Sequence, residues 1–107
     1  MKVYNKLVRD KIPEIISRDG SRAVTRVLDD GEYLSALDKK LFEEIREYLE
    51  SGSVEELADI AEVFSSILAA RGIAMEELLT VMEDKRLSRG GFSDKIFLEC
   101  VEDVGNE

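Results

Sequence analysis

Apolar residues recur at helical spacing through most of the chain, and turn residues divide the pattern into four segments. Pro13 fits the first turn of the first segment, because proline has no backbone N–H to leave unpaired there. Gly20 and Gly72 follow the ends of two segments, where glycine commonly stops a helix. The pattern predicts helices over residues 11–18, about 32–50, 54–71 and about 75–88.

Two short segments favour strands instead. Val24, Thr25 and Val27 lie in residues 23–28, and Ile96-Phe97-Leu98 lie in residues 95–98. Because β-branched and aromatic residues are enriched in strands, we expect these two segments to pair at the periphery. The predicted fold is an all-α helical bundle with a minor short-strand pair. At 107 residues the chain is expected to form one domain, residues 1–107.

The helices over 32–50 and 54–71 are expected to form the antiparallel centre of the bundle, joined by Ser51-Gly52-Ser53. The apolar face of the later helix is unusually wide, which predicts contact with more than one neighbour. Its members are Leu57, Ile60, Ala61, Val63, Phe64, Ile67 and Leu68. A domain of this size buries only about two-thirds of its unfolded surface, so a shared core would stabilise it. We therefore expect a homodimer or homotetramer.

Acidic residues cluster on both central helices. Glu43, Glu44 and Glu47 form an EExxE pattern, and Glu56 and Asp59 form an ExxD pattern. Residues three apart on a helix lie side by side, so each pattern brings carboxylates together. Carboxylates that share one point repel each other unless a cation lies between them. Oxygen ligands of this kind suit Mg²⁺, with Mn²⁺ as a possible substitute.

The angular positions of these carboxylates help to separate a metal site from an ordinary solvated surface. Glu44 lies about 70° from the centre of its apolar stripe, and Glu47 lies one turn further on. Glu56 falls inside the apolar arc of the next helix, with Asp59 on its flank, whereas Glu43 points nearly opposite its own stripe. A competing explanation for Glu56 is a capping box with Ser53. The pattern favours a metal site at Glu44, Glu47, Glu56 and Asp59.

Composition excludes several classes of function. The formal net charge of −9 argues against a nucleic-acid-binding surface, which needs clustered Lys and Arg, and against an anionic membrane face. The chain has no histidine, which excludes histidine-based triads and histidine zinc sites. With Cys100 as the single cysteine, no intrachain disulfide is possible. No apolar segment resembles a signal peptide or membrane span, so a cytoplasmic location is expected.

Several cations accompany the acidic clusters. Lys40 precedes Glu44 by one turn, where it either contacts a substrate phosphate or forms an ordinary ion pair with Glu44. Lys85 and Arg89 are four residues apart at the end of the last predicted helix, where cations also complement the helix dipole. The N-terminal segment is basic as well, and both substrate contact and salt bridges between chains fit it. Its polar members are Asn5, Lys6, Arg9 and Lys11.

Three segments together resemble the MazG-like, all-α NTP pyrophosphohydrolase superfamily. KLFEEIRE followed by EELAD resembles its EExxE…ExxD metal signature, although the spacer here is shorter than in many members. YNKLVRDKIPEII and DKRLSRGGF resemble a compact branch often described as phosphoribosyl-ATP pyrophosphohydrolase-like. The resemblance covers nearly the whole chain.

The resemblance implies hydrolysis of the α–β phosphoanhydride of a nucleoside triphosphate, which yields a monophosphate and pyrophosphate. It implies that Glu44, Glu47, Glu56 and Asp59 are Mg²⁺ ligands and that Glu43 orients or deprotonates the attacking water. It also implies that Lys85 and Arg89 contact the substrate phosphates. Because phosphate transfer needs fixed cations, Lys40 is a candidate catalytic and substrate-binding residue as well. The substrate stays open between phosphoribosyl-ATP and canonical or non-canonical NTPs. The alternative is a non-catalytic oligomerisation or nucleotide-sensing module with a structural metal site.

Overall fold

The computed structural model describes residues 1–105, which form four α-helices. Each helix begins and ends within two residues of the bounds predicted from apolar spacing. The largest difference is at the start of the second helix, which begins at Asp30 rather than Glu32. The helices are α1 (Ile12–Arg18), α2 (Asp30–Ser51), α3 (Val54–Ala70) and α4 (Met75–Arg89).

A capping box explains the earlier start of α2. The Asp29 carboxylate accepts a hydrogen bond from the Glu32 backbone N–H (2.8 Å), and the Glu32 carboxylate accepts one from the Asp29 N–H (3.3 Å). This reciprocal pair satisfies backbone donors that the first turn leaves unpaired. At the other end Gly52 adopts a left-handed conformation with φ 64°, which ends α2.

The predicted strand pair is wrong. Residues 23–28 and 95–98 form no strand in the part of the chain that the structure describes. Val24, Val27, Ile96 and Phe97 are all at least 85% exposed. Strand propensity reflects packing on a half-buried pleated surface, and these side chains have no such surface to pack on.

The described chain divides into two compact units, Met1–Met75 and the residues from Glu76 onward. In the first unit α2 packs along α3, as predicted for the centre of the bundle. Because only Gly52 and Ser53 separate the two helices, they form a tight helical hairpin. The second unit contains most of α4 and the segment that follows it.

Few apolar side chains are buried. Among residues 1–105 the buried apolar side chains are Leu37, Val63 and Leu68. Large apolar residues on α2 and α3 remain exposed, namely Phe42, Leu49, Val54, Leu57 and Phe64. Exposed apolar faces of this kind are typical of surfaces that contact another protein. No helix in the described part of the chain is long and apolar enough to cross a membrane.

Candidate metal centre

The α2–α3 hairpin brings three of the predicted ligands together. Glu44 lies on α2 and is only 5% exposed, and Glu56 and Asp59 lie on α3 and are half-buried. One carboxylate oxygen from each residue lies within 4.8 Å of the other two. The hairpin therefore forms a cluster of Glu44, Glu56 and Asp59, which we call the carboxylate cluster.

Two oxygen atoms of this cluster are buried without a protein partner. Within residues 1–105, Glu44 Oε2 and Glu56 Oε2 accept no hydrogen bond. Burying an unpaired carboxylate oxygen is costly, and a metal ligand bond removes that cost. Carboxylate oxygens are the donors that Mg²⁺ and Mn²⁺ prefer. The residues present thus fit a hard divalent cation.

Only one of the two hydrogen bonds of the capping box between Ser53 and Glu56 is formed. Ser53 Oγ accepts a hydrogen bond from the Glu56 backbone N–H (3.4 Å), which caps α3. The Ser53 N–H donates instead to Ser51 Oγ (3.3 Å), so the Glu56 carboxylate does not complete the box. The Glu56 side chain is thereby left to the carboxylate cluster.

Glu47 lies beside the cluster and is half-buried. Desolvation raises the pKa of Glu44, and the neighbouring Glu47 carboxyl group raises this pKa further. Lys40 acts in the opposite direction, but the net effect is a raised pKa. The structure therefore places Glu47 next to Glu44, while the group of three converging residues is Glu44, Glu56 and Asp59.

Lys40 forms the predicted ion pair within α2. Its Nζ lies 3.3 Å from Glu44 Oε1 and 3.6 Å from Glu43 Oε1. The Lys40 side chain is 16% exposed, so this ammonium is held at the edge of the cluster. The ion-pair interpretation of Lys40 is confirmed, and its contact with a substrate phosphate stays a prediction.

Glu43 is held between two lysines. Lys6 Nζ donates to Glu43 Oε1 at 3.1 Å, and Lys40 approaches the same oxygen. Desolvation acts to raise the pKa of Glu43, but the hydrogen bond from Lys6 and the charge of Lys40 outweigh it and lower the pKa. Glu43 is therefore ionised at neutral pH.

The basic N-terminal segment reaches the carboxylate cluster. Arg9 Nη2 donates to Asp59 Oδ1 at 2.7 Å, and Arg9 Nη1 lies 4.0 Å from Glu62 Oε1. Arg9 and Lys6 therefore form their salt bridges with carboxylates of the same chain, whereas salt bridges between chains were one of the two expectations for this segment. Sequence reasoning included both residues in a basic segment but gave them no position, because nothing in local spacing links residue 9 to residue 59.

These side chains surround one cleft of about 280 Å³. Cations, carboxylates and two apolar residues contribute to its walls. The lining residues are Lys6, Val8, Arg9, Ile12, Lys40, Glu44 and Asp59. Such a mixture can hold a cation at the carboxylates and an anionic group at the lysines and the arginine.

Lys85 and Arg89 lie in the second unit, on the last turns of α4, and both are exposed. Arg89 also borders a separate cleft formed with residues 90–96. Their contact with substrate phosphates stays a prediction.

Comparison with curated proteins finds a relative over part of the chain. A curated protein of Mycolicibacterium smegmatis, described as uncharacterized, is 55% identical to this chain over 42 residues. The match covers 39% of this chain and 43% of that protein, so it spans less than half of either. No family model matches the chain. No solved structure matches it either.

Proposed function

We propose that the protein hydrolyses the α–β phosphoanhydride of a nucleoside triphosphate or a related nucleotide with Mg²⁺, or with Mn²⁺ in its place. The observation that carries this proposal is the carboxylate cluster with two buried, unpartnered oxygens beside a cation-lined cleft. Carboxylates and fixed cations at one place suit a phosphate substrate that arrives with a divalent metal.

In this proposal Glu44, Glu56 and Asp59 hold the divalent cation, and Glu47 joins them from the next turn of α2. A divalent cation bound there would offset phosphate charge and lower the pKa of a bound water. Glu43 is the candidate to orient or deprotonate the attacking water, because its lysine contacts keep it ionised.

The cations of the site would hold the phosphate chain. Lys40 lies beside both Glu43 and Glu44, so its ammonium can meet a phosphate at the edge of the cluster. Holding the reacting groups in place supplies much of the rate of such reactions. The resemblance to MazG-like pyrophosphohydrolases implies that Lys85 and Arg89 also contact substrate phosphates.

The resemblance to MazG-like pyrophosphohydrolases supports this reaction, and it also supports a homodimer or homotetramer. The exposed apolar residues on α2 and α3 agree with a partner subunit at this hairpin. The N-terminal and RGGF segments resemble the phosphoribosyl-ATP pyrophosphohydrolase-like branch. Two substrate classes stay open, namely phosphoribosyl-ATP and the canonical or non-canonical NTPs and dNTPs that a house-cleaning enzyme hydrolyses. We place the activity in the cytoplasm, where these nucleotides occur.

The decisive experiment measures pyrophosphate release from a panel of NTPs, dNTPs and phosphoribosyl-ATP with and without Mg²⁺. We expect Mg²⁺-dependent release and a loss of at least about 100-fold in Glu47→Gln. Glu55→Gln is the matched control, because Glu55 is an exposed carboxylate on α3 outside the cluster. Absence of metal-dependent turnover across the whole panel would refute the proposed reaction.

A non-catalytic module is the second candidate. The ion pairs Arg9–Asp59 and Lys40–Glu44 already offset part of the cluster's charge. This suits a structural site that binds a metal or a nucleotide without hydrolysing it. Metal or nucleotide binding without pyrophosphate release would favour this candidate.

A further inference from the structure

Two of the three cations that line the cleft are bonded to carboxylates of the cluster. Arg9 donates to Asp59 at 2.7 Å, and Lys40 lies 3.3 Å from Glu44. A divalent cation at the cluster needs oxygens from Glu44, Glu56 and Asp59. Arg9 and the divalent cation therefore compete for Asp59.

Arg9 is able to leave Asp59 without disturbing the hairpin. Its side chain is 55% exposed and belongs to the N-terminal segment, outside α2 and α3. Val8 and Ile12, on either side of it in the sequence, are half-buried and line the same cleft. The backbone near Arg9 is thus held at the cleft, and the exposed side chain leaves room for the guanidinium to turn away from Asp59.

A guanidinium released at this position would be a phosphate-binding group. Its planar set of donors matches two oxygens of a phosphate, and charge-assisted hydrogen bonds of this kind are strong. Lys6 is near it in the same cleft, where it contacts Glu43. Removal of Arg9 from Asp59 therefore adds an anion-binding group to the wall of the cleft.

We infer that Arg9 exchanges partners: it neutralises Asp59 when no divalent cation is bound, and with Lys6 it binds a substrate phosphate when the cation is present. This inference rests on the proposed function and assigns two substrate-binding residues to that site. It makes binding of the divalent cation and binding of the phosphate group mutually favourable, because the first step supplies a group for the second.

The partner exchange predicts opposite effects of one substitution. In Arg9→Gln, Mn²⁺ alone should bind about two- to fivefold more tightly, because an exposed competing cation is gone. The affinity for magnesium pyrophosphate should fall by at least about tenfold, because a charge-assisted contact is lost. Both affinities are measured by isothermal titration calorimetry, the second with a constant excess of Mg²⁺ in both solutions. A purely structural role of Arg9 would weaken both.

Arg26→Gln is the matched control. Arg26 pairs with exposed Glu32 at 3.1 Å, so this variant makes the same charge change at an ion pair outside the cleft. It should leave both affinities within about twofold of the wild type. Arg9→Lys keeps the positive charge but loses the planar fork, so it should keep the Mn²⁺ affinity and weaken magnesium pyrophosphate binding.

The outcomes distinguish this inference from the proposed function. If the wild type binds no Mn²⁺, both are overturned. If the wild type binds Mn²⁺ but Arg9→Gln binds it equally or more weakly, the partner exchange is overturned and the metal centre stands. If Arg9→Gln does not fold, an unchanged affinity of folded Arg9→Lys for magnesium pyrophosphate overturns the inference.

Discussion

Glu44 and Glu56 face each other across the α2–α3 hairpin, with one carboxylate oxygen of each within 4.8 Å of the other. Each residue also has a buried Oε2 that accepts no hydrogen bond from residues 1–105. Two like charges at this separation destabilise the hairpin, and the ion pair of Glu44 with Lys40 offsets this repulsion only in part. This relationship gives the candidate site a measurable effect on stability.

Divalent cations should stabilise the folded protein. Saturation at about 100 times the dissociation constant would raise the free energy of unfolding by about 2.7 kcal/mol. Thermal unfolding followed by circular dichroism, with Mg²⁺ or Mn²⁺ and then with EDTA, tests this effect. Glu56→Gln should lose most of the stabilisation, whereas Glu55→Gln should retain it. An equal effect of the metals on both variants would contradict the assigned ligands.

Glu44→Gln should make the metal-free protein more stable at pH 7. The substitution removes a buried negative charge that lies beside Glu47, Glu56 and Asp59. It also removes the ion pair with Lys40, but Lys40 keeps Glu43 as a partner, so we expect a net gain of about 1 kcal/mol. Urea unfolding in EDTA measures the difference.

The pH dependence of that gain follows from the raised pKa of Glu44. A carboxyl group with a raised folded-state pKa contributes most to stability below its unfolded pKa, and this contribution is lost as the pH rises through the folded pKa. The difference between Glu44→Gln and the wild type should therefore shrink when the pH falls from 7 to 4. A pH-independent difference would show that the charge of Glu44 is not its cause.

Asp29→Ala should destabilise the first unit by about 1 kcal/mol, because the α2 capping box loses its side-chain acceptor. Asp30→Ala is the control, since Asp30 is exposed in the first turn of α2 but does not form the cap. Urea unfolding of the two variants compares them directly. Equal losses would show that first-turn charge, rather than the cap, is responsible.

Leu57→Asp should shift the protein towards smaller assemblies. Leu57 is on α3 and 47% exposed, within the wide apolar face that predicts a partner subunit. Sedimentation equilibrium should give a dimer or tetramer for the wild type and a lower mass for the variant. Val27→Asp introduces the same charge at a 97% exposed position outside the helices and should not change the mass. A monomeric wild type would refute the predicted assembly.

Sequence alone predicted the parts of the site that depend on local spacing. The angular positions of four carboxylates predicted that they border the buried faces of two adjacent helices, namely Glu44, Glu47, Glu56 and Asp59. The structure brings three of the four together, and Glu47 lies beside them. The Ser51-Gly52-Ser53 turn placed the end of α2 and the start of α3 within one residue for the same reason, because turn and capping signals act over three or four residues.

The remaining features depend on contacts that local patterns do not record. The strand prediction for residues 23–28 failed because strand propensity says nothing about whether a pairing partner is available. The approach of Lys6 to Glu43 and of Arg9 to Asp59 depends on the path of the N-terminal segment. Sequence spacing predicted that Glu43 points away from the apolar stripe of its own helix. The spacing could not show that Lys6 of the N-terminal segment contacts Glu43 there.

The short turn at Gly52-Ser53 also sets the order in which the centre is assembled. Glu44 and Asp59 are fifteen residues apart within one hairpin, whereas Arg9 and Asp59 are separated by 50 residues. Closing the longer loop costs about 1 kcal/mol more in chain entropy. During folding the carboxylates should therefore meet before Arg9 arrives, so a divalent cation available at that stage would find the cluster without its competitor.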